Sequence, residues 1–210
     1  MDFQRARTED QIEKRHSEIL KACAEIYAEG GADSVTFQAI AQRTSFSRPT
    51  IYNYYCSKEE IILDLLTRQC RDYAADLRCR FEAAEQLDKE GFCDIMATCF
   101  VDHETMLALM TSDLNAIENN SRLECVISMK QSMKVSFEII AAALEKFFPA
   151  SPAAERSRFL FTHFAFVYGE YSISNPTQKQ LQAMEAVDFP KSEPFETMCR
   201  QGLLDLMAKF

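Results

Sequence analysis

The sequence predicts an all-α protein. Apolar residues recur at three-and-four spacing almost throughout, five glycines and six prolines in 210 residues leave few breaks, and no run shows the strict alternation of a strand. With 47% hydrophobic side chains the chain has room for a small module joined to a larger one. No uncharged apolar stretch reaches about 18 residues, and Met1 to Asp10 mixes charges where a leader would need an apolar run. A soluble cytoplasmic protein with no membrane partner is therefore expected.

The first helix starts with Thr8 as N-cap and Gln11 three residues on, a capping-box spacing, and ends at Gly30-Gly31. Its inward stripe is Ile12, His16, Ile19, Leu20, Cys23, Ile26 and Tyr27. Thr36 caps a short second helix to about Arg43 that buries Phe37, Ile40 and Ala41. After the turn Thr44-Ser45-Phe46, Ser47 caps a third helix, Arg48 to Tyr55. Ser57 with Glu60 opens a long fourth helix to about Glu85. Two short helices joined by a three-residue turn and braced by a longer one form a helix-turn-helix. Further helices are expected near 89–100, 103–115, 120–148, 153–173, 176–186 and 193–209, punctuated by Pro149, Pro152, Asn175-Pro176, Pro190 and Pro194.

The eight cysteines form no CxxC pair and no CxxxxH-type zinc spacing, and read as reduced core thiols. His103 between Asp102 and Glu104 suggests a metal only superficially, because adjacent helical residues point in different directions. No metal and no cofactor are expected. A formal charge of −9 argues at first against a nucleic-acid partner, but Ser34 to Lys58 contains no Asp or Glu and carries +3 from Arg43, Arg48 and Lys58.

On a helical wheel of residues 48–55, Ile51 and Tyr55 face inward while Pro49, Thr50 and Asn53 point outward, flanked by Tyr52 and Tyr54. That face suits a major groove: Pro49 and Thr50 against a thymine methyl, Asn53 on an adenine edge, Arg48, Tyr52 and Tyr54 on phosphates or base edges. Lys58 opposes the dipole of its own helix, a placement that a phosphate would repair.

The stretch Val35-Thr36-Phe37-Gln38-Ala39-Ile40-Ala41, then Phe46-Ser47-Arg48-Pro49-Thr50-Ile51-Tyr52-Asn53-Tyr54-Tyr55, then Ser57-Lys58-Glu59-Glu60-Ile61 resembles the tetracycline-repressor (TetR) family signature. The resemblance covers about residues 10–60 and places DNA contacts on Thr36, Gln38, Ser47, Arg48, Thr50, Tyr52, Asn53, Tyr54 and Lys58. Two departures stand out. Thr44-Ser45 replaces the common Ala-Gly, which would put Ser45 where glycine is conformationally cheaper, and Tyr55-Cys56 replaces a more usual Phe followed by Pro or a polar residue.

The resemblance implies residues 1–58 as the helix-turn-helix domain and 59–210 as a larger helical domain for ligand binding and dimerisation. A single short helix on one half-site binds weakly, so a homodimer on a near-palindromic operator is expected, with recognition helices roughly 34–36 Å apart. The apolar positions Phe161, Tyr168 and Tyr171, with Phe195, Met198, Gly202, Leu203 and Leu206 of the last helix, are the expected interface, Gly202 allowing close approach of another backbone. A methionine-rich lining, Phe92, Met96, Phe100, His103, Met106, Leu107, Met110, Met129, Met133, Phe137, His163 and Phe164, is the expected pocket for a small, largely apolar effector. The functional expectation is a ligand-released transcriptional repressor. The alternatives are an all-helical interaction adaptor and a DNA-binding factor without effector. An enzyme is not expected, since neither a glycine-rich phosphate loop nor a nucleophile motif is present.

Overall fold

The computed structural model describes residues 9–210, with side chains from Ile12 on, so the Thr8–Gln11 capping box lies outside the described residues. Every element is helical: α1 Glu9–Ser34, α2 Phe37–Arg43, α3 Arg48–Ile51, α4 Lys58–Ala83, α5 Lys89–Asp102, α6 Glu104–Thr111, α7 Leu114–Asn119, α8 Leu123–Phe147, α9 Ala153–Ser174, α10 Gln178–Ala186 and α11 Phe195–Leu206. None of these helices is long and apolar enough to cross a membrane.

The chain divides into two compact units. The first holds the chain up to Arg68 together with Asp113–Met129; the second holds Gln69–Ser112 and Lys130–Phe210. The division falls later than the expected boundary after residue 58, because the first turns of α4 and the α7–α8 corner pack with the helix-turn-helix.

In the first unit, Ile19, Cys23 and Ile26 of α1, Phe37 and Ile40 of α2, Ile51 of α3 and Ile61, Ile62 and Leu65 of α4 form the core. Ile12, expected inside, is 41% exposed. The regular part of α1 breaks where expected, at Gly31, whose φ of 68° and ψ of −169° belong to a region that side chains exclude. Thr36 caps α2 by accepting from Ala39 N at 3.0 Å. Ser45 needs no glycine-like backbone, since Asp188 is the one non-glycine residue with positive φ among the described residues. Glu18 accepts from its N–H at 2.5 Å instead, fixing the turn from α1.

In the second unit, α11 packs on α5 and α9, and α6 on α9. Stacked and edge-on rings of Phe81, Phe92, Phe148, Phe159 and Phe210 fill the centre at centroid spacings of 5.0–6.0 Å. Gly202 supplies close approach inside this unit: a Cβ there would lie 2.0 Å from Phe166 Cζ, so the glycine seats the α9 ring on α11. α10 is capped by Thr177 and Gln180 in a reciprocal box and begins at Gln178, two residues later than a proline start at Pro176.

Candidate nucleic-acid interface and effector cavity

The third helix is shorter than its pattern suggested. It ends at Ile51, and Tyr52 to Tyr55 close in a tightened turn, with Asn53 N donating to Thr50 O and Tyr54 N to Ile51 O. This turn drives Tyr55 inward. Its hydroxyl donates to Asp64 Oδ2 at 2.5 Å and lies 3.3 Å from His16 Nδ1, and burial raises its pKa. With Ile51 also buried, α3 is anchored on one side and free on the other.

The free side carries Ser47, Arg48, Pro49, Tyr52 and Asn53, with Thr36 and Gln38 of α2 also exposed. Tyr52 is 46% exposed; its ring stacks on Phe37 at 4.0 Å, and its hydroxyl accepts from Arg48 at 3.1 Å. Stacking and hydrogen bond hold both groups before any partner arrives. Tyr54 is half-buried, its hydroxyl accepting from Arg15 at 3.3 Å. Lys58 is also half-buried, and its ammonium reaches the Ala32 carbonyl at 3.5 Å. Thr50 departs from the wheel: it is 6% exposed, with Oγ1 paired to Ser47 Oγ at 2.9 Å. The Ser47–Thr50 pair thus shapes the start of α3, and Thr50 leaves the outward set. Arg43 is held by a bidentate pair with Glu29, so Arg48 and Lys58 carry the uncompensated charge of the basic window.

Sequence reasoning missed the group that fastens this head to the α7–α8 corner. Glu60, 1% exposed, accepts from Arg122 Nε at 2.7 Å, Arg122 Nη2 at 3.0 Å, Arg122 N at 3.1 Å and Cys56 N at 2.7 Å. Burial alone would raise this carboxyl, but the hydrogen bonds from Arg122 and the two backbone N–H groups outweigh it and hold the pKa below the usual value. Ser57 Oγ donates to Asn120 O at 2.9 Å beside it. The end of the recognition turn is thereby tied to residues 120–122.

In the second unit an apolar cavity of about 20 Å³ is lined by Cys70, Tyr73, Phe100, Met106, Met110, Met133, Ser136, Phe137, Ile140, His163, Phe164 and Tyr168. Seven expected pocket residues, Phe100, Met106, Met110, Met133, Phe137, His163 and Phe164, come together there. Phe92, Met96 and Leu107 are instead fully buried in helix packing, and Met129 is buried in a stretch belonging to the first unit. His103 leaves the lining because Asp76 of α4 takes its Nε2 at 3.2 Å. Tyr73 was missed, although its hydroxyl is buried with no hydrogen-bond partner. His163 is neutral: burial lowers its pKa to about 4, and Nδ1 donates to Phe159 O at 2.9 Å.

Of the expected interface residues, Tyr171 and Leu203 are buried within their own unit, and Tyr168 lines the cavity, its hydroxyl donating to Met110 Sδ at 2.7 Å. Phe195, Met198, Gly202 and Leu206 are half-buried, and Phe161 is 70% exposed. One turn apart along α9, Phe161, Ala165, Gly169 and Ile173 are all exposed, an apolar stripe that the sequence reading caught only at its first residue. Asp76, Cys99 and His103 come together, their ligand atoms within 4.8 Å of one another, a grouping absent from the expectations drawn from the sequence. The legible signal was Cys99 four residues before His103.

Thiols on the core side are chemically quiet. Burial pushes Cys23, Cys70, Cys93 and Cys199 up to about 12, leaving no thiolate near neutrality.

An anchored, outward-facing α3 after a capped α2 defines a helix-turn-helix DNA-binding regulator. Residues 19–65 match the bacterial regulatory proteins, tetR family, and residues 67–208 match the tetracyclin repressor-like C-terminal domain. The chain belongs to the TetR family of transcriptional regulators.

Among curated relatives, YdeS of Bacillus subtilis, an uncharacterized HTH-type transcriptional regulator, is 38% identical over 30% of this chain and 31% of its own. Rv2250c of Mycobacterium tuberculosis, described in the same way, is 28% identical over 60% and 62% respectively. The chain thus spans less than two thirds of the length of these relatives. The fold is shared with the transcriptional regulator FadR from Bacillus subtilis, solved in complex with stearoyl-CoA (TM-score 0.63, 14% identity, 93% of this chain and 99% of that one). It is shared too with a TetR-family transcriptional regulator from Bordetella parapertussis 12822 (TM-score 0.60, 13% identity, 94% and 96%).

Proposed function

We propose that this regulator is a cytoplasmic homodimeric repressor that reads a near-palindromic operator and is released by a small, largely apolar effector. The observation that carries the reading is the outer face of α3, where Arg48, Pro49, Tyr52 and Asn53 are exposed over a buried Ile51 and Tyr55. Residues 1–58 read DNA, with Thr36, Gln38, Ser47, Arg48, Pro49, Tyr52, Asn53, Tyr54 and Lys58 as contacts, and residues 59–210 serve effector binding and pairing. Asn53 reads an adenine edge, a contact worth about 1–3 kcal/mol of discrimination. Tyr52 and Lys58 meet the backbone.

Effector binding is supported by the methionine- and phenylalanine-walled cavity and by the unpaired Tyr73 hydroxyl on its wall, which one polar group of an otherwise apolar ligand would satisfy. The FadR neighbour, with its stearoyl-CoA, shows an acyl ligand on this fold and favours a long apolar effector. About 20 Å³ holds one water, so the effector enters by displacing the flexible Met110 and Met133 side chains. The cavity is thus closed in one state and open in another, and a ligand that binds the open state alone shifts the population.

The test is selection of bound sequences from a random duplex pool by the purified protein at near-physiological salt. Enrichment of a near-palindrome is expected. Lys58→Ala then weakens binding across sequences and lowers the salt slope by about 1, and Tyr52→Ala weakens it with the dimer intact. Failure of a folded dimer to enrich any sequence, or unchanged binding by both variants, refutes the assignment.

A further inference from the structure

Cys99 and His103 stand four residues apart at the end of α5, so both side chains leave one face of the helix. Asp76 of α4 meets them there: its Oδ2 lies 3.2 Å from His103 Nε2 and accepts from Cys99 Sγ at 3.6 Å. All three ligand atoms fall within 4.8 Å of one another. Donor atoms around a tetrahedral zinc with bonds of about 2.0–2.3 Å are separated by roughly 3.3–3.7 Å. Two of the three edges therefore already approximate that spacing.

We propose that Asp76, Cys99 and His103 form a binding site for one zinc ion in the second unit. A thiolate, an imidazole and a carboxylate together suit a borderline-soft divalent ion, whereas magnesium and calcium prefer all-oxygen cages. Cys99 is fully buried and Asp76 and His103 are partly so, which shields a bound ion from bulk water. Three protein donors leave a coordination position for water.

In the metal-free state the cation role falls to Arg80. Its Nε donates to Asp76 Oδ1 at 3.0 Å and its Nη2 to Asp76 Oδ2 at 2.8 Å, while Nη2 also reaches Asp102 Oδ2 at 2.5 Å. Zinc takes Asp76 from Arg80, and Asp102 retains the guanidinium. Burial first, and then the Asp76 charge, keeps Cys99 a neutral thiol without metal. Binding therefore forms the zinc–sulfur bond and releases the thiol proton to solvent, one proton per ion.

The full chain, stripped with chelator and kept reduced, is titrated with zinc against a chromophoric chelator and separately with cobalt(II). One ion per chain and a thiolate-to-cobalt charge-transfer band are expected. Cys99→Ser abolishes the band, and His103→Gln weakens zinc by at least about tenfold. Arg80→Gln, which removes the competitor, tightens it. Cys79→Ser, at an exposed thiol outside the cluster, changes neither reading. Circular dichroism establishes that each variant is folded. A band that survives Cys99→Ser overturns the site, as does absence of uptake by both wild type and Arg80→Gln. If Cys99→Ser does not fold, unchanged affinity in both His103→Gln and Arg80→Gln overturns it as well. None of these readings involves DNA, so they stand or fall independently of the proposed repressor function.

Discussion

His163 shows how one buried ring ties stability to pH. It is 1% exposed among Phe137, Phe159 and Phe164, and with Nδ1 committed to a carbonyl it is held neutral, its pKa lowered to about 4. An unfolded imidazole titrates near about 6.5. Between these values the unfolded chain binds a proton that the folded chain refuses, so stability rises with pH through this window and falls on acidification from 6.5 toward 4. The full effect is about 3 kcal/mol. Urea unfolding at fixed protein concentration, at pH 7 and pH 4.5, is expected to show a smaller pH difference in His163→Gln than in wild type, by about 2–3 kcal/mol; an equal difference refutes the assignment. The sequence placed His163 in the expected lining without a charge state, and its neutrality follows only from its burial. Thr50 went the other way: a wheel cannot see that Ser47 captures its hydroxyl and turns it inward. Asn53, Arg48 and Tyr52 were legible because α3 is short and Ile51 and Tyr55 anchor the opposite side.

At the scale of elements, periodicity located most of the helices, and side chains that bind backbone relocated their ends. Residues 103–115 read as one helix and 120–148 as the next, yet Ser112 and Asp113 interrupt the first, α7 spans Leu114–Asn119 and α8 begins only at Leu123. Asn120 Nδ2 donates to Ala116 O and Ser121 Oγ to Ile117 O, while Asp113 accepts from Ala116 N. These local bonds compete with helix continuation. The break places Arg122 where it meets Glu60, a pairing across 62 residues that no local pattern announces. Within its own unit, the close approach that Gly202 permits is that of the Phe166 ring. A methyl group there would lie 2.0 Å from Phe166 Cζ and 2.6 Å from both adjacent ring carbons, so the ring must leave its seat between α9 and α11. Gly202→Ala is expected to destabilise the second unit by about 1–3 kcal/mol, seen as a lowered thermal midpoint at equal protein concentration. A midpoint at or above wild type would mean that Phe166 has a second rotamer of equal energy.

Across the whole molecule, the proposed function depends on pairing, because one α3 presents few base-reading side chains and the second half-site adds its own. The exposed stripe on α9 offers a surface for this: Phe161 and Ile173 are 70% and 62% exposed, and Ala165 and Gly169 between them are small enough for two helices to approach closely. An added Cβ at Gly169 meets nothing within 4 Å, so a substitution there leaves the single chain undisturbed and acts only on what docks against it. In a two-fold pair the same stripe faces its own copy, and Gly169→Arg would set like charges and two long side chains into the seam. The variant is expected to sediment as a folded monomer with unchanged helicity. Its affinity for a full palindrome should fall by about 10²–10⁴-fold, the gain that linking two sites confers, while binding to a single half-site stays as weak as in wild type. A variant that remains paired and keeps full operator affinity would remove this α9 stripe from the pairing surface and shift the assignment to the half-buried side chains Phe195, Met198 and Leu206 of α11.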